Sequence, residues 1–91
     1  MYELVKRILD KSKETGEDVL VARDMCIAED KENAEALREA GKVIKAHYDT
    51  IAKCRREGDN ESIKTLCDLI AKGDAEEIRA FKAEVAEKKR A

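Results

Sequence analysis

The side chains in this sequence that stand out as candidates for nucleophilic catalysis or zinc binding are the single histidine, His47, and the thiols Cys26, Cys54 and Cys67. A thiol beside an imidazole can be a nucleophile with its base, but the two groups must come within about 3 Å of each other. Cys54 lies seven residues after His47, and seven residues of helix climb about 10 Å. One helix cannot make that pair. Cys26 or Cys67 would have to approach His47 from a neighbouring helix, and nothing local fixes such an approach. The cysteines show no Cys-x-x-Cys spacing, so zinc would need four separate helical positions to converge. Each cysteine instead sits in or beside an apolar stripe, where a free thiol packs as a small hydrophobe, and the odd count favours thiols over a disulfide. His47 reads in the same way as a packed or boundary histidine offering one N–H to a carbonyl. No catalytic, cofactor-binding or metal-binding residue is assigned, no cofactor is expected, and the chain is not expected to be an enzyme. A cofactor or metal pocket near His47 is the weaker alternative.

The elements that would position these residues are helices. The chain has 91 residues, 44% of them charged and none proline. Its apolar content is aliphatic, with 18 Leu, Ile or Val and 13 Ala against three aromatics, Tyr2, Tyr48 and Phe81. Such residues lose little rotamer freedom in a helix. The expected fold is all-α, a compact bundle of about five helices in a single domain spanning residues 1–91. Gly16, Gly58 and Gly73 are each followed by an acidic residue, the order in which one helix ends on a left-handed glycine and the next is capped by a carboxylate. Asp74, with Glu77 three residues on, comes close to a capping box.

The first helix is expected over about 2–14, with Leu4, Val5, Ile8 and Leu9 inward. Thr15 or Glu17 can open the second. A break is expected near 29–33, because the Val19, Ala22 and Cys26 stripe continues onto Glu29, Asp30 and Asn33. The third helix, about 33–57, is expected to be one long spine. At about 100° per residue its Leu37, Ala40, Gly41, Val43, Ile44, His47, Tyr48, Ile51 and Cys54 share one side, with Leu37, Ile44 and Ile51 at the centre of one core. Asp59 or Asn60 opens the fourth helix, which ends near Lys72 and turns Ile63, Leu66, Cys67, Leu69 and Ile70 inward. The fifth runs over about 75–89 with Ile78, Phe81 and Val85. Gly41 is expected to admit a crossing helix, and Ser12 to bond back to a main-chain carbonyl. Arg55-Arg56 and Lys88-Lys89-Arg90 read as cations favouring helix C-termini.

The second helix is unusual in being apolar on several sides. Leu20 and Ile27 project away from its Val19, Ala22 and Cys26 side, while Val21, Met25 and Ala28 take a third direction. It is either sandwiched or offers an apolar surface to a partner.

Nineteen Lys or Arg against 21 Asp or Glu give a net charge of −2, with both signs spread along the chain, which gives no electrostatic basis for nucleic acid. The longest apolar run, Val19 to Ala22, is far below the ~20 residues that span a bilayer. With Glu3 directly after Met1 and Tyr2, the signal-peptide pattern is missing, so a cytoplasmic, soluble monomer is expected.

Asn33-Ala34-Glu35-Ala36-Leu37, Ala40-Gly41, Tyr48-Asp49 and Ile51-Ala52 resemble part of one tetratricopeptide repeat, over about a quarter of the chain and without the turn between paired helices; no function follows from it. The Gly-Asp junctions, the absence of proline and the dense Glu and Lys surface resemble a computationally designed helical bundle. That likeness implies a structural fold without evolved activity. The competing expectation is a natural interaction module that binds a protein partner, or itself, through the second helix.

Overall fold

The structure is a computed structural model that describes residues 1–87. All regular structure among the described residues is helical: α1 (Tyr2–Thr15), α2 (Val19–Glu29), a 3₁₀ turn (Lys31–Asn33), α3 (Ala34–Ala46), α4 (Tyr48–Arg56), α5 (Asn60–Lys72) and α6 (Ala75–Glu87). The basic cluster Lys88-Lys89-Arg90 and the last two residues expected in the final helix lie outside the described residues.

Local sequence explains most boundaries. Gly16 ends α1 with φ +76°, its N–H donating to the Ser12 carbonyl at 2.9 Å. Gly73 ends α5 in the same left-handed geometry at φ +82°. That conformation would strain any residue with a Cβ. Asp18, rather than Thr15 or Glu17, caps α2, accepting from the Leu20 N–H at 3.0 Å. The Thr15 hydroxyl is occupied with the Lys11 carbonyl at 2.8 Å. Asp59 caps α5 through the Ser62 N–H at 3.1 Å, and Asp74 accepts from the Glu76 and Glu77 N–H groups, both at 3.1 Å. Glu77 does not complete a capping box, because its carboxylate takes the Lys72 ammonium at 3.0 Å.

The expected break after α2 is present, and Asp30 makes it. Its backbone leaves the helical region at φ −146°, ψ 75°, and its carboxylate accepts from Asn33 Nδ2 at 2.8 Å and Arg7 Nη1 at 2.9 Å. One acidic side chain thus holds the 3₁₀ turn and ties it to α1.

The long third helix is not continuous. It divides at His47, whose backbone takes φ −123°, ψ 32°, into α3 and α4, so six α-helices replace the expected five. The apolar stripe runs straight across this point without glycine or proline, so helical periodicity carries no sign of the break.

The backbone groups into two compact units, residues 1–46 and His47 onward. In the first, α1, α2 and α3 all pack on one another around Val5, Ile8, Leu9, Ala22, Cys26, Leu37, Ala40 and Ile44, each buried. In the second, α4, α5 and α6 likewise pack pairwise, with Ile51, Cys54, Ile63, Leu66, Cys67 and Val85 buried. α1 and α2 thus pack with α3, and α5 and α6 with α4. Leu37 and Ile44 are 0% exposed and Ile51 1%; the first two belong to unit one and the third to unit two.

Candidate functional site

His47 immediately precedes α4, and its Nδ1 atom is buried without a hydrogen-bond partner. Burial lowers the imidazole pKa from its usual value, and the positive Lys82 lowers it further, because both oppose a charged ring. The expected N–H to carbonyl bond is not made by that atom. A neutral, partly buried imidazole has the right protonation state for a metal ligand. Yet among the described residues no group of three or more His, Cys, Asp or Glu side chains is gathered to hold a metal ion.

The three cysteines form no disulfide, and all are buried. Cys26 belongs to the first unit and Cys54 and Cys67 to the second. Burial pushes the Cys67 thiol pKa up. It does the same to Cys26, whose thiol lies 4.0 Å from the Arg7 carbonyl and is partly offset by the Arg7 charge. Raised pKa and burial both suppress thiolate, the reactive form, so Cys26 and Cys67 behave as packing residues.

Gly41 lies under a side chain. A Cβ placed there would sit 2.5 Å from Arg23 Cδ and 3.3 Å from Arg23 Cγ. The helix that crosses Gly41 is α2, and the space admits the Arg23 stem on its way to Asp24, which it meets through Nη2 at 2.9 Å and Nε at 3.1 Å. Ser12 does bond a main-chain carbonyl, but forward across the turn to Glu17 at 2.6 Å rather than back along its helix.

Open depressions on the surface of the described residues include two of moderate size. One of about 550 Å³ lies on the first unit beside Arg7, Asp10, Lys11, Glu14 and Glu29; Lys11 is already paired with Glu29 at 2.9 Å. The other, about 420 Å³, is bordered by Ser62, Phe81, Glu84, Val85 and Glu87 on the second unit. Neither gathers a nucleophile with a base.

The outward side of α2 is different in kind. Val21 is 42% exposed and Met25 36%, and Ala28 is exposed on the same side. Leu20 and Ile27, which the sequence singles out, are half-buried flanks of that surface, not its centre. Tyr48, expected on the apolar side of the spine, is 51% exposed; it is the first residue of α4, directly after the break at His47.

Compared with known proteins, the chain matches no family model, no curated protein and no solved structure. No helix among the described residues is long and apolar enough to cross a membrane.

The Arg7, Asp30 and Asn33 cluster escapes a reading of periodicity. Its only local signal is the Asp30-x-x-Asn33 spacing, and Arg7 is 23 residues away. The Asn33 and Arg7 donors hold the Asp30 carboxyl below the usual carboxylate range. The cluster is a structural tie, with every hydrogen bond directed inward to the turn.

Proposed function

We propose that the chain is a non-enzymatic helical module that works by protein contact through the outward face of α2. The observation that carries this is the exposure of Val21 and Met25 one helical turn apart, 42% and 36%, on a helix that turns Ala22 and Cys26 into the core. Scattered exposed apolar residues are common. Here they align with Ala28 at the four-then-three spacing that presents one continuous stripe to a partner. A photo-crosslinking residue at position 25, compared with one at Lys42 on α3, tests this in the cells that carry the protein. A discrete protein adduct at 25 and none at 42 is expected; equal labelling or none removes the reading.

A second reading, a designed scaffold without a partner, is supported by the regularity of the caps at Asp18, Asp59 and Asp74 and the left-handed glycines at 16 and 73. It predicts a melting temperature above roughly 90 °C, the range of hyperstable domains. Cooperative unfolding near 50 °C would count against it.

A further inference from the structure

We infer that α6 is a latch on the second unit, one that opens ahead of α4 and α5, and that the Lys53 ammonium is its clasp. α6 packs on both α4 and α5, yet Val85 is the one buried residue among its 13. α5, of equal length, buries Ile63, Leu66 and Cys67, and the nine residues of α4 bury Thr50, Ile51 and Cys54. Ile78 and Phe81, the rest of the α6 stripe, are half-buried. Water reaches the seam, because the depression of about 420 Å³ is bordered by Ser62 of α5 and by Phe81, Glu84 and Val85 of α6. Apolar area removed from water is the main hold of one helix on another, so α6 is the most weakly held helix of its unit.

The two ends of α6 are held differently. At its start, the left-handed Gly73 and the Asp74 cap join it to α5. The Lys72 to Glu77 ion pair across that link is 62% and 45% exposed, and exposed pairs contribute little. At the far end, Lys53 Nζ of α4 donates to the Val85 carbonyl at 2.7 Å and to the Ala86 carbonyl at 3.1 Å. Hydrogen bonds from a charged donor are roughly twice as strong as neutral ones, and the shorter of these falls on the same residue that supplies the buried side chain. Docking of α6 is thus concentrated at Val85, under the control of one charge on α4. A helix of 13 residues is marginal alone in water, so α6 loses its own backbone hydrogen bonds once it leaves α4 and α5. Opening of the latch is therefore readable as amide exchange confined to α6.

Native-state hydrogen exchange on the full chain, followed by NMR and corrected for intrinsic rates, tests the assignment. Amides of residues 79–85 are expected to open together, at least tenfold more often than those of residues 66–70 in α5, and with a weaker dependence on urea. Lys53→Met keeps the stem and removes the donors, and should raise opening of residues 79–85 about tenfold further. Residues 66–70, and residues 37–44 of α3, should stay within about twofold of the parent in that variant. Lys53→Arg keeps charge and donors and should hold α6 within about threefold of the parent. Val85→Ala should accelerate the same amides as Lys53→Met. In the parent alone, equal protection and equal urea dependence of α5 and α6 overturn the latch. So does a rate that climbs steadily toward residue 87, which is the fraying of a helix end. A Lys53→Met protein whose α6 amides exchange as in the parent, or whose α4, α5 and α6 amides accelerate alike, overturns the clasp.

Discussion

Replacing Gly41 with alanine puts the packing of α2 on α3 to a quantitative test. Gly in a helix interior costs about 1 kcal/mol relative to Ala, so the substitution starts with that gain. Against it stands the added Cβ, 2.5 Å from Arg23 Cδ and 3.3 Å from Cγ, which forces the Arg23 stem aside. The Arg23 side chain is 25% exposed, so displacing two partly buried methylenes costs about 1 kcal/mol. The exposed ion pair with Asp24 adds less than about 1 kcal/mol. Gly41→Ala in the parent should therefore lie within about 1 kcal/mol of neutral. Once Arg23→Ala has emptied the space, the same substitution should stabilise by about 1 kcal/mol, several degrees in melting temperature for a domain this small. The double-mutant cycle should return a coupling of about 1 kcal/mol. Urea titration followed at α3 backbone amides by NMR reads the first unit directly. If Gly41→Ala costs more than about 1.5 kcal/mol in both backgrounds, the helices meet more closely than the Arg23 stem requires, and the reasoning fails.

Three further outcomes are expected. Ile44→Asp, at a 0% exposed position, buries an unpaired carboxylate and should cost several kcal/mol against a total of about 5–15. Lys42→Asp, on the exposed side of α3, should change stability little; an Ile44→Asp protein whose urea midpoint matches the parent's would show the wrong face has been assigned. His47, with its folded pKa lowered from 6.5 by burial and Lys82, binds its proton more readily when unfolded. Its contribution is present above about pH 6.5 and lost as pH falls through that range, so a urea midpoint measured from pH 8 to 5 should decline, and the decline should vanish in His47→Gln. Asp30, lowered by Asn33 and Arg7, acts in a more acidic window, with its contribution present above about pH 4 and lost below it. Asp30→Asn should flatten the first unit's acid unfolding there while leaving the His47 limb untouched.

How far the sequence discloses this fold depends on the range of the interaction that sets each feature. The glycines Gly16 and Gly73 and the caps Asp18, Asp59 and Asp74 act within four residues, so the helix ends they define are legible along the chain. The corner after α2 is half legible: the stripe visibly stops at Glu29, but the Arg7 to Asp30 bond that fixes the corner joins residues 23 apart. At His47 the apolar stripe is unbroken, and periodicity alone argues for the rod that the backbone does not form. Gly41 shows where space is needed, but that the occupant is Arg23 is knowable only once α2 lies across α3. The surface of α2 was visible as excess apolar character, whereas its centre at Val21 and Met25 depended on which side α1 and α3 had claimed.

The distribution of the thiols gives the molecule a native pair of clocks. Cys26 is sealed in one unit and Cys54 and Cys67 in the other, and none of the three can meet an aqueous disulfide reagent until its surroundings open. In mild denaturant, the rates at which the three react record the opening of each half of the sequence without a probe attached. A single labelling time course, resolved by mass, would separate a chain that opens as one body from a chain that opens in halves.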